Sequence, residues 1–208
     1  MGLRPTGQMK VAEIGASHRE RVAEHAEVLI HLALDAVDHG LLHHELFSID
    51  LKALPPFLSA PGASFVTLMC GGELRGGWGT PNAIKPLAED VVENAYSAAF
   101  RDPRFTPMIA RERIDMTLLV SVLSTPEALG ARSEDELLTL LRPGRDGILI
   151  SDGRCRALSL PKAWEETPDA EAFLQALKAK AGMASDHWSS TFSAWRFSAV
   201  EVSLTPDG

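Results

Sequence analysis

FVTLMCGGELRGGWG, residues 65–79, is the stretch that decides the fold. Residues 65–70 form an almost unbroken apolar run of the kind that suits a strand covered on both faces. Gly71-Gly72 then supplies the positive φ angles of a tight hairpin turn, and the return strand begins at Glu73. That return strand carries Gly76, Gly77 and Gly79 around Arg75 and Trp78. Glycine packs no side chain and costs backbone entropy in a strand, so three together imply close approach, either by a ligand or by a packing neighbour.

Outward from the hairpin, the periodicities alternate between helix and strand. Ser17 and Glu20 make a capping box, and Val22, Ala26, Leu29, Ala33 and Val37 recur at helical spacing to Gly40, which predicts a helix over residues 17–39. Pro55, Pro56 and Pro61 mark residues 51–61 as a connector. After the hairpin, Leu87, Val91, Val92, Ala95 and Ala99 share one face of a helix that runs from Pro86 to Asp102-Pro103. Residues 116–123 alternate as a central strand, and Ser133 with Glu136 caps a short helix. Residues 147–151 pair with 154–160 across Asp152-Gly153. Thr167-Pro168 opens a last helix ending at Gly182, and residues 194–204 supply a terminal strand. Hairpins and isolated strands with helices between them predict an α+β fold with a mainly antiparallel sheet flanked by helices. Residues 1–16 read as an N-terminal tail and 17–208 as a single domain.

Composition narrows the function classes. The chain has 208 residues, 45% of them hydrophobic, enough for a sizeable core, and a formal net charge of −8. That balance argues against nucleic-acid binding, which needs clustered Lys and Arg. No apolar run approaches the ~18 residues of a membrane span and no signal peptide is evident, so a cytoplasmic protein is expected. Cys70 and Cys155 both fall in apparent strands and read as buried thiols rather than a disulfide framework.

LRGGWG at residues 74–79 is preceded by FVTL and followed by Pro86-Leu87, DPRF at 102–105, VSVL at 120–123 and Pro126-Glu127. Together with residues 144–150, Leu160-Pro161, Phe173-Leu174, residues 180–182, Trp188 and Arg196-Phe197, this set resembles the AMMECR domain family over nearly the whole chain from about Ser17. The resemblance implies the same α+β fold with a smaller second lobe. It also implies kinship with protein A of the AmmeMemoRadiSam system, whose partners are a Memo-like protein and a radical SAM protein. The family usually reads LRGCIG, whereas this chain has Gly77 and Trp78 in place of the cysteine and isoleucine, so a role for that thiol is not carried over.

Arg75 is the leading functional candidate. A guanidinium offers a rigid fork of donors to a carboxylate or phosphate, glycine amides can approach the same group, and Trp78 offers a flat face for stacking. Residues 75–79 and the turn at 102–105 are expected to line one cleft, which makes Arg75, Gly76, Gly77, Trp78, Gly79, Asp102 and Arg104 the candidate ligand-binding residues. The expected ligand is a small anion held near the first turn of the Pro86 helix, whose free amides favour negative charge. The structural alternative is an Arg75 paired with an internal carboxylate such as Asp102. No metal site is expected: His39, His43 and His44 lie near Glu45 and Asp50, but Gly40 interrupts the helix that would align them. His187 reads as structural, and no Ser-His-Asp set is assembled by the sequence order. Asp102 and Glu112 are the carboxylates available for acid–base work. Two alternatives to ligand handling stand beside it: a non-enzymatic module with Trp78 as a hot-spot anchor for a Memo-like or radical SAM partner, and an enzyme whose catalytic groups come from scattered residues.

Overall fold

The computed structural model describes residues 11–205, with side chains from His18. Helix α1 (Val11–Glu24) and helix α2 (Ala26–His43) replace the single helix expected over 17–39, with the break at His25. Ser17 therefore lies inside α1 rather than capping it, and part of the expected tail is helical. Gly40 does not stop α2. A Cβ there would stand 2.3 Å from the Phe100 ring, so the glycine admits a close helix contact, and His44 takes the left-handed capping conformation at φ 59 instead.

The connector holds a 3₁₀ turn at Leu51–Ala53 and helix α3 (Pro56–Ser59), with proline at its start. Then come β1 (Ala63–Cys70), β2 (Glu73–Gly79), α4 (Leu87–Phe100), a 3₁₀ turn at Ala110–Arg113, β3 (Met116–Leu123) and the short β4 (Glu127–Ala128). The remaining elements are α5 (Glu134–Leu140), β5 (Gly147–Asp152), β6 (Cys155–Ser159), α6 (Ala163–Glu166), α7 (Ala170–Lys180), β7 (Ser193–Phe197) and β8 (Ala199–Leu204).

These strands make two four-stranded sheets, antiparallel throughout, in the orders β2-β1-β3-β8 and β4-β7-β5-β6. The fold is α+β, as expected, and β1 and β3 pair in one sheet. The expected terminal strand over 194–204 is two strands in different sheets. Ser198 marks the crossing, where its carbonyl accepts from the Ser124 amide at 2.8 Å and its own amide donates to Ser124 Oγ at 2.9 Å. Alternation along a strand cannot reveal such a switch, because both halves keep the same period.

Each sheet carries its own core. Val66, Leu68, Leu118 and Val120 face Leu29, Ala33 and Val37 of α2 and Val91 and Ala95 of α4. In the second lobe, Ile148 and Ile150 pack with Leu137, Phe173, Leu174 and Leu177. Ala63 and Leu123 of the first sheet meet Leu149 and Phe197 of the second, joining the lobes through apolar contact. Lys178, on the last turn of α7, is wholly buried, with Nζ donating to Glu134 at 2.7 Å and to the Ser185 carbonyl at 2.8 Å.

Candidate functional site

The β1–β2 hairpin turns through Gly71 (φ 59) and Gly72 (φ 83), as its sequence requires. Its register pairs Leu68 with Gly76 but Met69 with Leu74, which leaves Arg75 as the extra residue of a β-bulge. Bulges re-aim a side chain and raise local twist. The glycines that follow have separate reasons. A Cβ on Gly76 would stand 2.1 Å from the Ala98 carbonyl oxygen, so Gly76 lets α4 lie against the strand, and one on Gly79 would stand 2.0 Å from the Phe65 ring opposite. At Gly77 the nearest atom is Arg104 Nη2, at 3.2 Å from an ideal Cβ. Only Gly77 thus abuts a charged group.

Arg75 is held by Glu112. Nε donates to Oε1 at 2.7 Å and Nη2 to Oε2 at 3.0 Å, and Nη2 also donates to the Thr106 carbonyl at 2.9 Å. Nη1 is buried and has no hydrogen-bond partner among the described residues. The Glu112 hydrogen bond raises the Arg75 pKa, and Arg75 in turn lowers that of Glu112. Glu112 Oε2 also accepts from the Ile109 amide at 3.0 Å, so one carboxylate pins the strand and the turn of the 3₁₀ segment together.

Three expectations for Arg75 are corrected here. Its internal partner is Glu112, not Asp102, because the bulge turns it toward residues 106–112. The end of α4 beside Gly76 and the Arg75 bulge is the carbonyl end at Ala98; the amide end, which begins at the Pro61–Pro86 bridge, lies by Thr80, whose hydroxyl donates to Asp90. Trp78 does not share the space of Arg75: Gly76 faces α4 and Gly77 faces Arg104, so strand alternation returns Trp78 to the helix side, opposite Val66. The Arg75 side chain is 13% exposed. Two surface depressions, of ≈320 and ≈260 Å³, are lined by Leu41, Phe100, Met108 and Ile109 and by Phe47, Ile49, Lys85 and Val92. Neither includes Arg75, Gly77 or Arg104.

Arg75→Ala strands a mostly buried Glu112 carboxylate, and the expected loss is about 1–3 kcal/mol of stability. Urea denaturation of the variant checks this, and Glu112→Gln in the same chain should recover part of the loss; an unchanged midpoint would show that the pair contributes nothing.

Asp102, Arg104 and Gly77 do come together. Asp102 Oδ2 accepts from the Gly77 amide at 2.9 Å and from Arg104 Nη2 at 2.6 Å, while Oδ1 accepts from Arg104 Nε at 3.0 Å and from its amide at 3.1 Å. The carboxylate thereby caps the outer edge of β2, an edge strand, and blocks its extension by another chain. The Arg104 hydrogen bond, assisted by the amides, lowers the Asp102 pKa to about 2, so its stabilising contribution is present above the ordinary carboxylate value and is lost only as pH falls toward about 2. Arg104 is itself 55% exposed. Phe105 lies beside both arginines, its ring centre 5.7 Å from Arg75 Cζ and 5.4 Å from Arg104 Cζ. Lys180 donates to the Leu158 carbonyl at 2.8 Å, and its pKa is lowered by desolvation and then by repulsion from Arg104. Phe105 and Lys180 fall in the family-like segments 102–105 and 180–182 without being among the expected site residues, and Thr106 lies in no motif.

The other candidates resolve simply. The His39 and His43 rings lie 4.5 Å apart on the last turn of α2, and among the described residues no group of three or more His, Cys, Asp or Glu side chains is arranged to hold a metal. Cys70 and Cys155 are half-buried and free, and the Cys70 thiol, 3.6 Å from the Glu112 carbonyl, is pushed up by burial and then by the Glu112 charge. His187, Ser189 and Thr191 each bond Asp152 at 2.6 Å. Because Ser189 bonds the carboxylate and not the imidazole, this cluster lacks the serine–base contact of a nucleophilic triad. No helix among the described residues is long and apolar enough to cross a membrane.

Comparison with known proteins places these features in a wider set. Residues 30–202 match the family model described as AMMECR1. A protein of Thermofilum pendens is 36% identical over 199 residues, which cover 89% of this chain and 93% of that one. Protein MJ0810 of Methanocaldococcus jannaschii is 40% identical over 143 residues, covering 67% of this chain and 71% of its relative. The crystal structure of uncharacterized protein PH0010 from Pyrococcus horikoshii superposes with a TM-score of 0.81 at 32% identity, covering 89% of this chain and 94% of that one.

Proposed function

The chain belongs to the AMMECR1 family, and on that premise we propose that it binds a small oxyanion, a carboxylate or phosphate, at the face of β2 formed by Arg75, Gly77 and Arg104. Asp102 positions Arg104, Glu112 positions Arg75, and Gly77 leaves room for the Arg104 guanidinium beside the strand. The observation that carries this reading is the shared arrangement of the two guanidiniums beside Phe105. Each is held by a carboxylate through Nε and Nη2, so the carboxylate contacts leave its Nη1 donor unused. A planar fork so oriented is suited to oxyanion recognition. Within the family, we place this binding step in an AmmeMemoRadiSam-type system, alongside a Memo-like and a radical SAM protein.

Calorimetric titration with inorganic phosphate and with acetate tests the reading. Arg104→Gln should weaken binding of whichever anion binds by about tenfold or more, equivalent to about 1.4 kcal/mol; because it also removes the guanidinium from the buried Asp102 carboxylate, the titration is run at a temperature where the variant is folded. Equal affinity in variant and parent contradicts it.

A partner-docking reading is favoured by a separate observation: Trp78 and Leu74, both on the edge strand β2, are 37% and 45% exposed. On that reading Trp78→Ala abolishes capture of a purified Memo-like or radical SAM protein while anion binding persists.

A further inference from the structure

The Arg75 guanidinium has two edges on which an oxyanion can seat. Glu112 fills the side-on edge, made by Nε and Nη2. The end-on edge, made by Nη1 and Nη2, is treated differently. Its Nη2 donates to a single backbone oxygen, Thr106 O at 2.9 Å, and its Nη1 is buried with no partner among the described residues. An orphaned buried donor carries an unrepaid desolvation cost, so it calls for an explanation.

The covering segment supplies one. Residues 105–107 run without regular structure between two fixed points. On one side, Asp102 and Arg104 are tied to Gly77. On the other, buried Met108 donates its amide to the Ala99 carbonyl at 2.8 Å. Between them, Pro107 has no amide proton, Thr106 is exposed, and the Phe105 ring rests near Arg75. The Phe105 amide makes one bond, to the Asp102 carbonyl at 3.1 Å. A segment held by so few buried contacts opens at low free-energy cost compared with the strands around it.

We infer that residues 105–107 are a strap gating the end-on edge of Arg75, with the Thr106 carbonyl standing in for one oxygen of a carboxylate or phosphate. When the strap swings out from its Arg104 and Met108 anchors, an oxyanion takes Nη2 from Thr106 and gives Nη1 the acceptor it lacks, a bidentate seat in place of a single bond. Binding is therefore coupled to opening, and the apparent affinity of the closed protein is reduced by the fraction of molecules that are open. This rests on the oxyanion reading of the same face.

Loosening the strap tests it, with inorganic phosphate, sulfate and acetate as probes in calorimetry. Phe105→Gly removes the covering ring and should tighten binding by about fivefold or more through a larger open fraction. Adding Arg75→Lys, which keeps the charge but not the fork, should abolish the gain. If Phe105→Gly does not fold, Pro107→Gly frees the other end and carries the same expectation. In the parent protein, a saturating anion should speed hydrogen exchange of the Phe105 amide, whose bond to Asp102 must break on opening. Binding that is equal or weaker in the loosened variants, with Arg104-dependent binding intact in the parent, overturns the strap while sparing the site. Absence of anion binding in parent and variants alike overturns both.

Discussion

Asp90→Ala lowers the stability of the fold by about 2–4 kcal/mol, because it leaves several buried donors with no acceptor. Asp90 is 1% exposed on the inner face of α4. Its Oδ2 accepts from the Ser64 amide at 2.8 Å, from Ser64 Oγ at 2.7 Å and from Asn94 Nδ2 at 2.9 Å, and its Oδ1 accepts from Thr80 Oγ1. The network ties β1, the chain leaving β2 and α4 to one another, so it fixes the far end of the strand that carries Arg75 and Gly77. Burial raises the Asp90 pKa above the ordinary carboxylate value despite these donors. A raised folded-state pKa means that the stability Asp90 contributes is fully present below its unfolded value and declines as pH rises through the folded one. The gap between parent and Asp90→Ala should accordingly narrow with rising pH over that window. Urea denaturation across pH measures it, and a gap that widens instead would show that the ionised form is the one the fold favours.

Leu118→Ala costs about 2–5 kcal/mol by opening a cavity at the centre of the first sheet. Leu118 is fully buried and lies opposite Leu68 on one side and Leu204 on the other. The loss should appear as a lower urea midpoint with an unchanged slope, because the variant still exposes nearly the same surface on unfolding. A cost near zero would mean that neighbouring side chains collapse into the space, contrary to the close packing of Leu68 and Leu204 on either side.

Those two residues differ in how well the sequence announced them. Leu118 sits in a run whose apolar character on both faces predicts a central strand, and that inference needs only local pattern. Asp90 looks like one more acid in the first turn of a helix. Its role depends on Ser64 and Thr80, distant in sequence and brought to it only by the hairpin packing on α4. Ser64, Asp90 and Asn94 sit among apolar positions, and the i,i+4 spacing of Asp90 and Asn94 is the one local signal that could have pointed to the network.

The candidate site divides the same way. The hairpin and its glycine turn were legible because turn chemistry is local, whereas Asp102, 25 residues from Gly77, was grouped with it only through the expectation that residues 75–79 and 102–105 line one cleft. The direction of Arg75 was not. It follows from the bulge, and a bulge is a matter of register between two strands, which alternation within one of them does not record. The same slip hid the separation of Arg75 from Trp78. Gly40 shows the reverse case, a residue whose usual meaning as a helix stop is overridden by its contact with Phe100.

Anomalous diffraction from crystals grown with selenate addresses the oxyanion site most directly. The account predicts a selenium peak beside Gly77, with selenate oxygens at hydrogen-bonding distance, about 2.7–3.2 Å, from the end-on donors of Arg75 or Arg104. A peak confined to other surface arginines and lysines, with Arg75 and Arg104 untouched, would contradict it.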